Sequence, residues 1–178
     1  ADATNYVLAN NAQGTQAINN VRNNYQYKTG VGLHGEQALT KDLGIYGRIF
    51  TSDGHTETMS FTEADNSISV GMGMNGTSWS RPSDSVGISV MQNGLSSYRK
   101  NYLQAGGISY FIGDTPSPYA GPGQTLSYRP ERIGEIYYNA LLVKNVLLGV
   151  NFQHINNPAY NAARGPVNIA SFRIHAEF

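Results

Sequence analysis

The last twelve residues of the sequence, Val167–Phe178, read VNIASFRIHAEF and alternate between apolar and polar side chains. The apolar side chains share one parity and the polar ones share the other: Phe178, Ala176, Ile174, Phe172 and Ala170 against Glu177, His175, Arg173 and Ser171. Because successive side chains of a β-strand point to opposite faces, this stretch predicts a strand with one apolar and one polar face.

The same alternation recurs upstream, which predicts an all-β fold. The stretches with this pattern lie at 31–36, 43–49, 68–74, 86–90, 135–142 and 146–153, and residues 5–9 are a candidate for one more strand. Composition agrees, since only 13% of residues are charged while 20 are Gly and 12 are Tyr. Helical soluble proteins usually contain more Glu, Lys and Leu. We therefore predict one domain over 1–178 with seven or eight strands.

The connections between these strands alternate strictly between short and long. Short ones are predicted near 40–42, 77–83 and 143–145, and long ones at 10–24, 52–65, 94–130 and 156–166. Outer-membrane barrels have this asymmetry, with tight turns at one end and long loops at the other. A wall strand at 103–112 would put the short turns at opposite ends of the barrel, so that segment is assigned to the loop 94–130. A loop of this length is a candidate to fold into the lumen. Ser96 and Ser97 are predicted to cap a short helix in this loop that ends at Gly106-Gly107.

A soluble sandwich, a lipocalin-like barrel and a membrane barrel all have sheets with one apolar face. Strands of ten to twelve residues favour the membrane, because roughly 9 to 11 residues cross a bilayer whereas globular strands have about 5 to 6. The polar face also includes charged residues that suit a wet lumen: Arg48, Glu36, Glu135, Arg173 and Glu177. No run approaches the roughly 18 to 20 apolar residues of a membrane-spanning helix. The prediction is a transmembrane antiparallel β-barrel.

Several function classes find no support in the sequence. Twelve basic residues balance twelve acidic ones, so no attraction to nucleic acid is expected. Gly71–Gly76 matches GxGxxG but lies inside a predicted strand with no helix after it, unlike a nucleotide site. His34 with Glu36, and His55 with Glu57, lack a third metal ligand. We expect no cofactor, no metal and no catalytic residues. The N-terminus lacks a secretion signal, so the chain is expected to be mature or to start within a longer one.

Several segments together resemble the carbohydrate-selective porins of the OprB family. The resemblance lies in Gln153–Asn161, Arg164–Val167, Arg173–Phe178, Pro130–Glu131 with Glu135–Tyr138, and Arg81-Pro82 with Asp84 and Gly87. Those porins are sixteen-stranded barrels, so the resemblance implies that about eight strands here form the C-terminal half of one. Apart from this family, the terminal strand that ends in Phe178, with alternating aromatic and aliphatic residues upstream, resembles the C-terminal signal read by the outer-membrane assembly machinery.

The expected function is passive diffusion of small sugars through a pore in the bacterial outer membrane. Arg, Glu and Tyr supply the hydrogen-bonding groups and aromatic faces that sugars need. The candidate pore-lining residues are Arg48, Tyr46, Arg99, Arg132, Glu135, Tyr137 and Arg173. Arg and Glu at the constriction handle sugar in the family, but no motif transfers those positions individually.

Expected partners are sugars, outer-membrane lipid and the assembly machinery, and homo-oligomerisation stays open. Two alternative functions also remain. One is a small closed eight-stranded barrel with a structural or adhesive role, because eight strands leave little room inside for a solute. The other is a membrane-embedded hydrolase, although no GxSxG element is present.

Overall fold

The computed structural model describes residues 3–5, 26–56, 63–107, 112 and 127–177, and most of these belong to one antiparallel sheet. Its strands are β1 Gly30–Ala38, β2 Leu43–Ser52, β3 Asn66–Gly76, β4 Arg81–Gly94, β5 Glu131–Val143, β6 Val146–Asn156 and β7 Val167–Ala176. Each strand pairs with its neighbour in sequence, in the order β1 to β7. This up-and-down order confirms the predicted all-β fold.

Two predictions concern residues at the chain ends. Of the proposed N-terminal strand, Asn5 is helical together with residues 3 and 4, and residues 6–9 lie outside the described residues. Phe178 also lies outside them. In the part of the chain that the structure describes, no helix combines the length and apolar character needed to cross a membrane.

The connections alternate in length as predicted. Residues 39–42, 77–80 and 144–145 form short turns, whereas 53–65, 95–130 and 157–166 are long. Asn145 has a φ of 65°, a left-handed conformation that Asn tolerates and that tight hairpin turns require. Because consecutive strands are antiparallel, all three short turns lie at one end of the sheet. We call this the short-turn end and the opposite one the loop end.

Over the middle of the sheet, the pairing register separates an apolar from a polar face. One cross-strand row on the apolar face contains Ile45, Met72, Ile88, Ile136 and Phe152. The neighbouring row on the polar face contains Tyr46, Gly71, Ser89, Glu135 and Gln153. Apolar-face side chains stay about half exposed, for example Val70 at 53% and Ile136 at 48%. A soluble sandwich would bury this face, whereas lipid covers it in a membrane barrel.

The packed core lies at the loop end rather than on the sheet. The buried apolar residues of the described part are Leu95, Leu103, Ala105, Ile112 and Tyr160, all outside the strands. Helix α1, Ser97–Gln104, supplies Leu103 to this cluster. The Ser96 side chain accepts a hydrogen bond from the Arg99 N–H, and Gly106 after the helix has a φ of 100°. These observations confirm the predicted capped helix.

Candidate functional site

The polar face forms an open cleft of about 710 Å³ across β4 to β7. Its lining is mostly uncharged and hydrogen-bonding, and includes Ser85, Asn139, Asn151, Gln153 and Ser171. Glu135, Tyr137 and Arg173, three of the predicted pore-lining residues, also line it. Alternation along β5 and β7 brings these side chains to one face, because they have the same parity in paired strands. The cleft offers many donors and acceptors and few charges.

Glu135 lies near the middle of the sheet and is held by two amides. One carboxylate oxygen accepts a hydrogen bond from Asn151 Nδ2, and the other accepts one from Gln153 Nε2 at 3.1 Å. Gln153 lies directly opposite Glu135 on β6, and Asn151 lies one row further along. Both partners are neutral amides, and together they fix the orientation of the carboxylate. Each oxygen retains a lone pair for a donor in the cleft.

Tyr46 and Tyr137 lie over glycines on the neighbouring strands. Tyr46 on β2 is opposite Gly71 on β3, and Tyr137 on β5 is opposite Gly87 on β4. A Cβ atom at Gly71 would lie 2.5 Å from Cε1 of Tyr46. A Cβ atom at Gly87 would overlap Cε1 and Cζ of Tyr137. The glycines therefore leave the space that the two rings occupy close to the backbone.

Arg48 and Arg173 lie on the polar face on either side of these tyrosines. Arg48 pairs with Ser69 on β3 and lies towards the loop end. Arg173 pairs with Gly149 on β6 and lies towards the short-turn end. Both side chains are exposed. The structure thus places five predicted residues on one face, with cations at both ends and Glu135 between them.

Arg132 lies on the opposite, apolar face. It has the parity of Ile136, and its Nε donates a 2.9 Å hydrogen bond to Oε1 of Gln92, its partner on β4. Three residues separate Arg132 from Glu135, and an odd separation in a strand puts two side chains on opposite faces. The prediction that Arg132 lines the polar cleft together with Glu135 is corrected by this register.

Arg99 is bound to the protein rather than exposed to the cleft. Its Nε donates to Oδ2 of Asp65 at 2.9 Å, and its terminal nitrogen donates to Oδ1 at 3.0 Å. The Ser96 N–H donates to the same carboxylate at 2.9 Å, and Lys28 Nζ lies 3.4 Å from it. We call Asp65, Ser96 and Arg99 the Asp65 anchor, because it fixes the start of α1 to the residue that precedes β3.

Burial opposes ionisation of Asp65, yet the hydrogen bonds from Arg99 and Ser96 outweigh it and hold its pKa below the usual value. The carboxylate is therefore ionised at neutral pH and pairs with a permanent cation. Sequence reasoning missed Asp65, because Arg99 is 34 positions away and no local pattern links the two residues.

The glycine motif and the His34–Glu36 pair have the structural surroundings of a strand. Gly71–Gly76 ends strand β3 and is followed by a 3-10 turn at Thr77–Trp79 rather than an α-helix. His34 and Glu36 contact each other at 3.1 Å on the polar face of β1. Among the described residues there is no group of three or more His, Cys, Asp or Glu that could hold a metal.

These features define a class of protein. A meander of long antiparallel strands with an exposed apolar face and a polar opposite face is the wall of a transmembrane β-barrel. The sequence model of the family described as "Carbohydrate-selective porin, OprB family" matches residues 1–178. The chain belongs to the OprB family of carbohydrate-selective porins.

A solved structure supports the same fold. The chain is similar to OprB of Pseudomonas putida, in a structure described as a high pH structure, with a TM-score of 0.67 and 21% sequence identity. The match covers 85% of this chain and 36% of that chain. This chain thus spans little more than a third of that protein's length. A comparison with curated proteins gave no match.

Proposed function

We propose that the protein is a pore of the bacterial outer membrane through which small sugars diffuse passively. The observation that supports this most directly is the division of the sheet into a half-exposed apolar face and a polar cleft of about 710 Å³. Such a wall places lipid on one side and water on the other. Family membership supports the carbohydrate class of solute.

The chemistry of the polar face suits uncharged polyhydroxyl solutes. The Glu135 carboxylate can accept hydrogen bonds from sugar hydroxyl groups, and the amides of Asn151 and Gln153 can both donate to them and accept from them. None of these contacts requires a charge on the solute. Arg48 and Arg173 add planar donors at the two ends. The formal net charge of the chain is zero. Diffusion needs only weak, repeated contacts, so no cofactor or covalent step is involved.

The long loop 94–130 is proposed to narrow the pore at the loop end. Asp65 has the parity of Ser67 and Ser69, whose side chains lie on the polar face. The Asp65 anchor therefore attaches α1 on the lumen side of the sheet. In this proposal Arg99 acts by holding the loop and does not contact the solute.

The exposed apolar face and the family together support a place in the outer membrane, with lipid as its partner. The assembly machinery is a further proposed partner, through the terminal strand that leads to Phe178. Crosslinking in the membrane, done alongside the transport assay, measures whether the pore is a homo-oligomer.

The test is solute flux through the full polypeptide reconstituted in liposomes. We expect monosaccharides to enter faster than into protein-free liposomes, and larger oligosaccharides to be excluded. Glu135→Gln and Arg173→Gln should change the relative rates of different sugars while the protein still inserts. Liposomes that contain folded protein yet admit no monosaccharide would refute the proposed function.

A further inference from the structure

The two tyrosine rings of the polar face come towards each other across the middle of the sheet. Tyr46 reaches from β2 over Gly71 on β3, and Tyr137 reaches from β5 over Gly87 on β4. The hydroxyl of Tyr137 extends further still, to 3.8 Å from where a Cβ of Gly73 would be. Both rings therefore rest on the two adjacent strands β3 and β4.

The spacing of the rings follows from the register. Gly71 pairs with Ser89, two residues along β4 from Gly87. The two ring positions are therefore offset by about one strand spacing, about 5 Å, across the sheet and by about 7 Å along it. Both tyrosines remain partly exposed, and the pairing places Ser89 and Glu135 next to them. Two aromatic surfaces and a fixed carboxylate thus share one patch.

We propose that Tyr46, Tyr137 and Glu135 form a binding platform for the closed-ring form of a sugar. The C–H face of a pyranose ring would lie on a tyrosine ring, since the face of an aromatic ring attracts partially positive hydrogens. Its hydroxyl groups would donate to Glu135 and exchange hydrogen bonds with Asn151 and Gln153. The inference rests on the proposed function and adds to it a substrate class, cyclic sugars in preference to open-chain polyols.

Gly71 and Gly87 determine the specificity of this platform in our proposal, although neither contacts the solute. Each keeps a tyrosine ring low against the wall, because any side chain at these positions would occupy the same space. A ring lifted from the wall would present its edge to the lumen and narrow the passage. An open-chain polyol has no rigid C–H face, so its contact with a flat tyrosine ring adds less to its binding affinity.

The test compares D-glucose with its open-chain alditol, D-glucitol, in the full polypeptide reconstituted in planar bilayers. Each solute is titrated, and its dissociation constant is read from the reduction in ion current. We expect wild-type protein to bind glucose more tightly. Gly87→Ala, Gly71→Ala and Tyr137→Leu should each weaken glucose binding by roughly two- to tenfold, the range for one lost aromatic contact, and leave glucitol nearly unchanged.

The chain offers matched controls. Gly47 and Gly134 lie in β2 and β5 on the apolar face, and a Cβ at either would meet nothing within 4 Å. Gly47→Ala and Gly134→Ala should leave both dissociation constants unchanged. Tyr137→Phe, which keeps the ring, should retain the preference for glucose. If the alanine variants at Gly71 and Gly87 do not fold, the comparison of Tyr137→Leu with Tyr137→Phe decides the matter.

The outcomes separate this inference from the proposed function. Equal binding of glucose and glucitol by wild-type protein that passes sugar would overturn the platform and leave the pore intact. An unchanged preference in Tyr137→Leu would do the same. A folded wild-type protein that passes no sugar would refute the pore, and the platform with it.

Discussion

The loop end and the sheet of this protein are stabilised in different ways. At the loop end, side chains bury one another, and Asp65 and Arg99 keep only 1% and 9% of their side-chain surface exposed. On the sheet, the apolar face stays largely open, and the polar face is linked by exposed or half-buried side-chain hydrogen bonds such as those from Asn151 and Gln153 to Glu135. The loop end therefore depends on its own packing, and the sheet depends on backbone pairing and on the lipid that covers it. Substitutions in the two regions should therefore destabilise the protein for different reasons.

The largest effect is expected from Asp65→Ala. It would remove the carboxylate that accepts two hydrogen bonds from the buried Arg99 guanidinium, and breaking a buried ion pair from one side typically costs about 3–5 kcal/mol. Hydrogen exchange of the amides of α1 in reconstituted protein measures the free energy of local opening. Asp65→Ala/Arg99→Met removes both charges and should cost less than Asp65→Ala alone. A double variant that is no better than the single one would mean that the ion pair does not hold the helix.

Ile136→Lys should destabilise the sheet through the membrane. A lysine on the lipid face near the bilayer centre costs about 2–4 kcal/mol. The neighbouring Ser89, on the polar face, provides the control, because Ser89→Lys would place its charge in water beside Glu135. Urea titration in lipid vesicles measures both free energies of unfolding. Equal losses in the two variants would show that the faces are not divided between lipid and water.

Glu135→Gln should alter ion selectivity without altering stability. The carboxylate attracts cations to the polar face, and two unit charges 4 Å apart in water interact by about 1 kcal/mol. Removing it should therefore lower the ratio of cation to anion permeability by at most about thirtyfold, because the attraction of cations and the equal repulsion of anions are both lost. Arg132→Gln, three residues away on the apolar face, should leave the ratio unchanged. Reversal potentials in a salt gradient measure both, and a larger shift for Arg132→Gln would reverse our assignment of the faces.

Much of the sheet could be predicted from the sequence, because alternation and turn residues are local signals. The seven strands, the alternation of short and long connections and the helix cap at Ser96 all follow from residues within a few positions of each other. The assignment of Arg132 failed for a local reason as well. Its charge suggested the lumen, but its parity with Ile136 places it on the apolar face.

The remaining parts of the site depend on which residues face each other across strands. Alternation defines a face but not a register, so it could not show that Tyr46 lies over Gly71 or Tyr137 over Gly87. It also could not show that Arg99 meets Asp65 across 34 positions. The glycines of β3 looked in the sequence like a weak nucleotide motif. The structure gives Gly71 a physical reason, which is the space that the Tyr46 ring occupies, whereas at Gly76 the backbone of Arg81 leaves no room for a Cβ.

The smallest effect is expected from moderate acid, and the loop end is the place to measure it. Hydrogen bonds from the Thr29 hydroxyl and N–H, with a further one from His55 N–H, lower the pKa of Asp53 to about 2. The pKa of Asp65 is also lowered, because its bonds from Arg99 and Ser96 outweigh its burial. Both carboxylates are therefore more acidic in the folded protein than their ordinary value of about 3.9.

A group with a lowered pKa contributes stability at every pH above its unfolded value, and this contribution is lost as pH falls through the folded value. Exchange protection of α1, corrected for the intrinsic rate, should thus stay constant from about pH 8 to about pH 5 and decrease only below about pH 4. In Asp65→Asn, the part of the decrease in exchange protection that comes from protonation of Asp65 should disappear. A loss of protection between pH 5 and 7 would instead indicate a histidine, and the anchor would then not be the group that responds to acid.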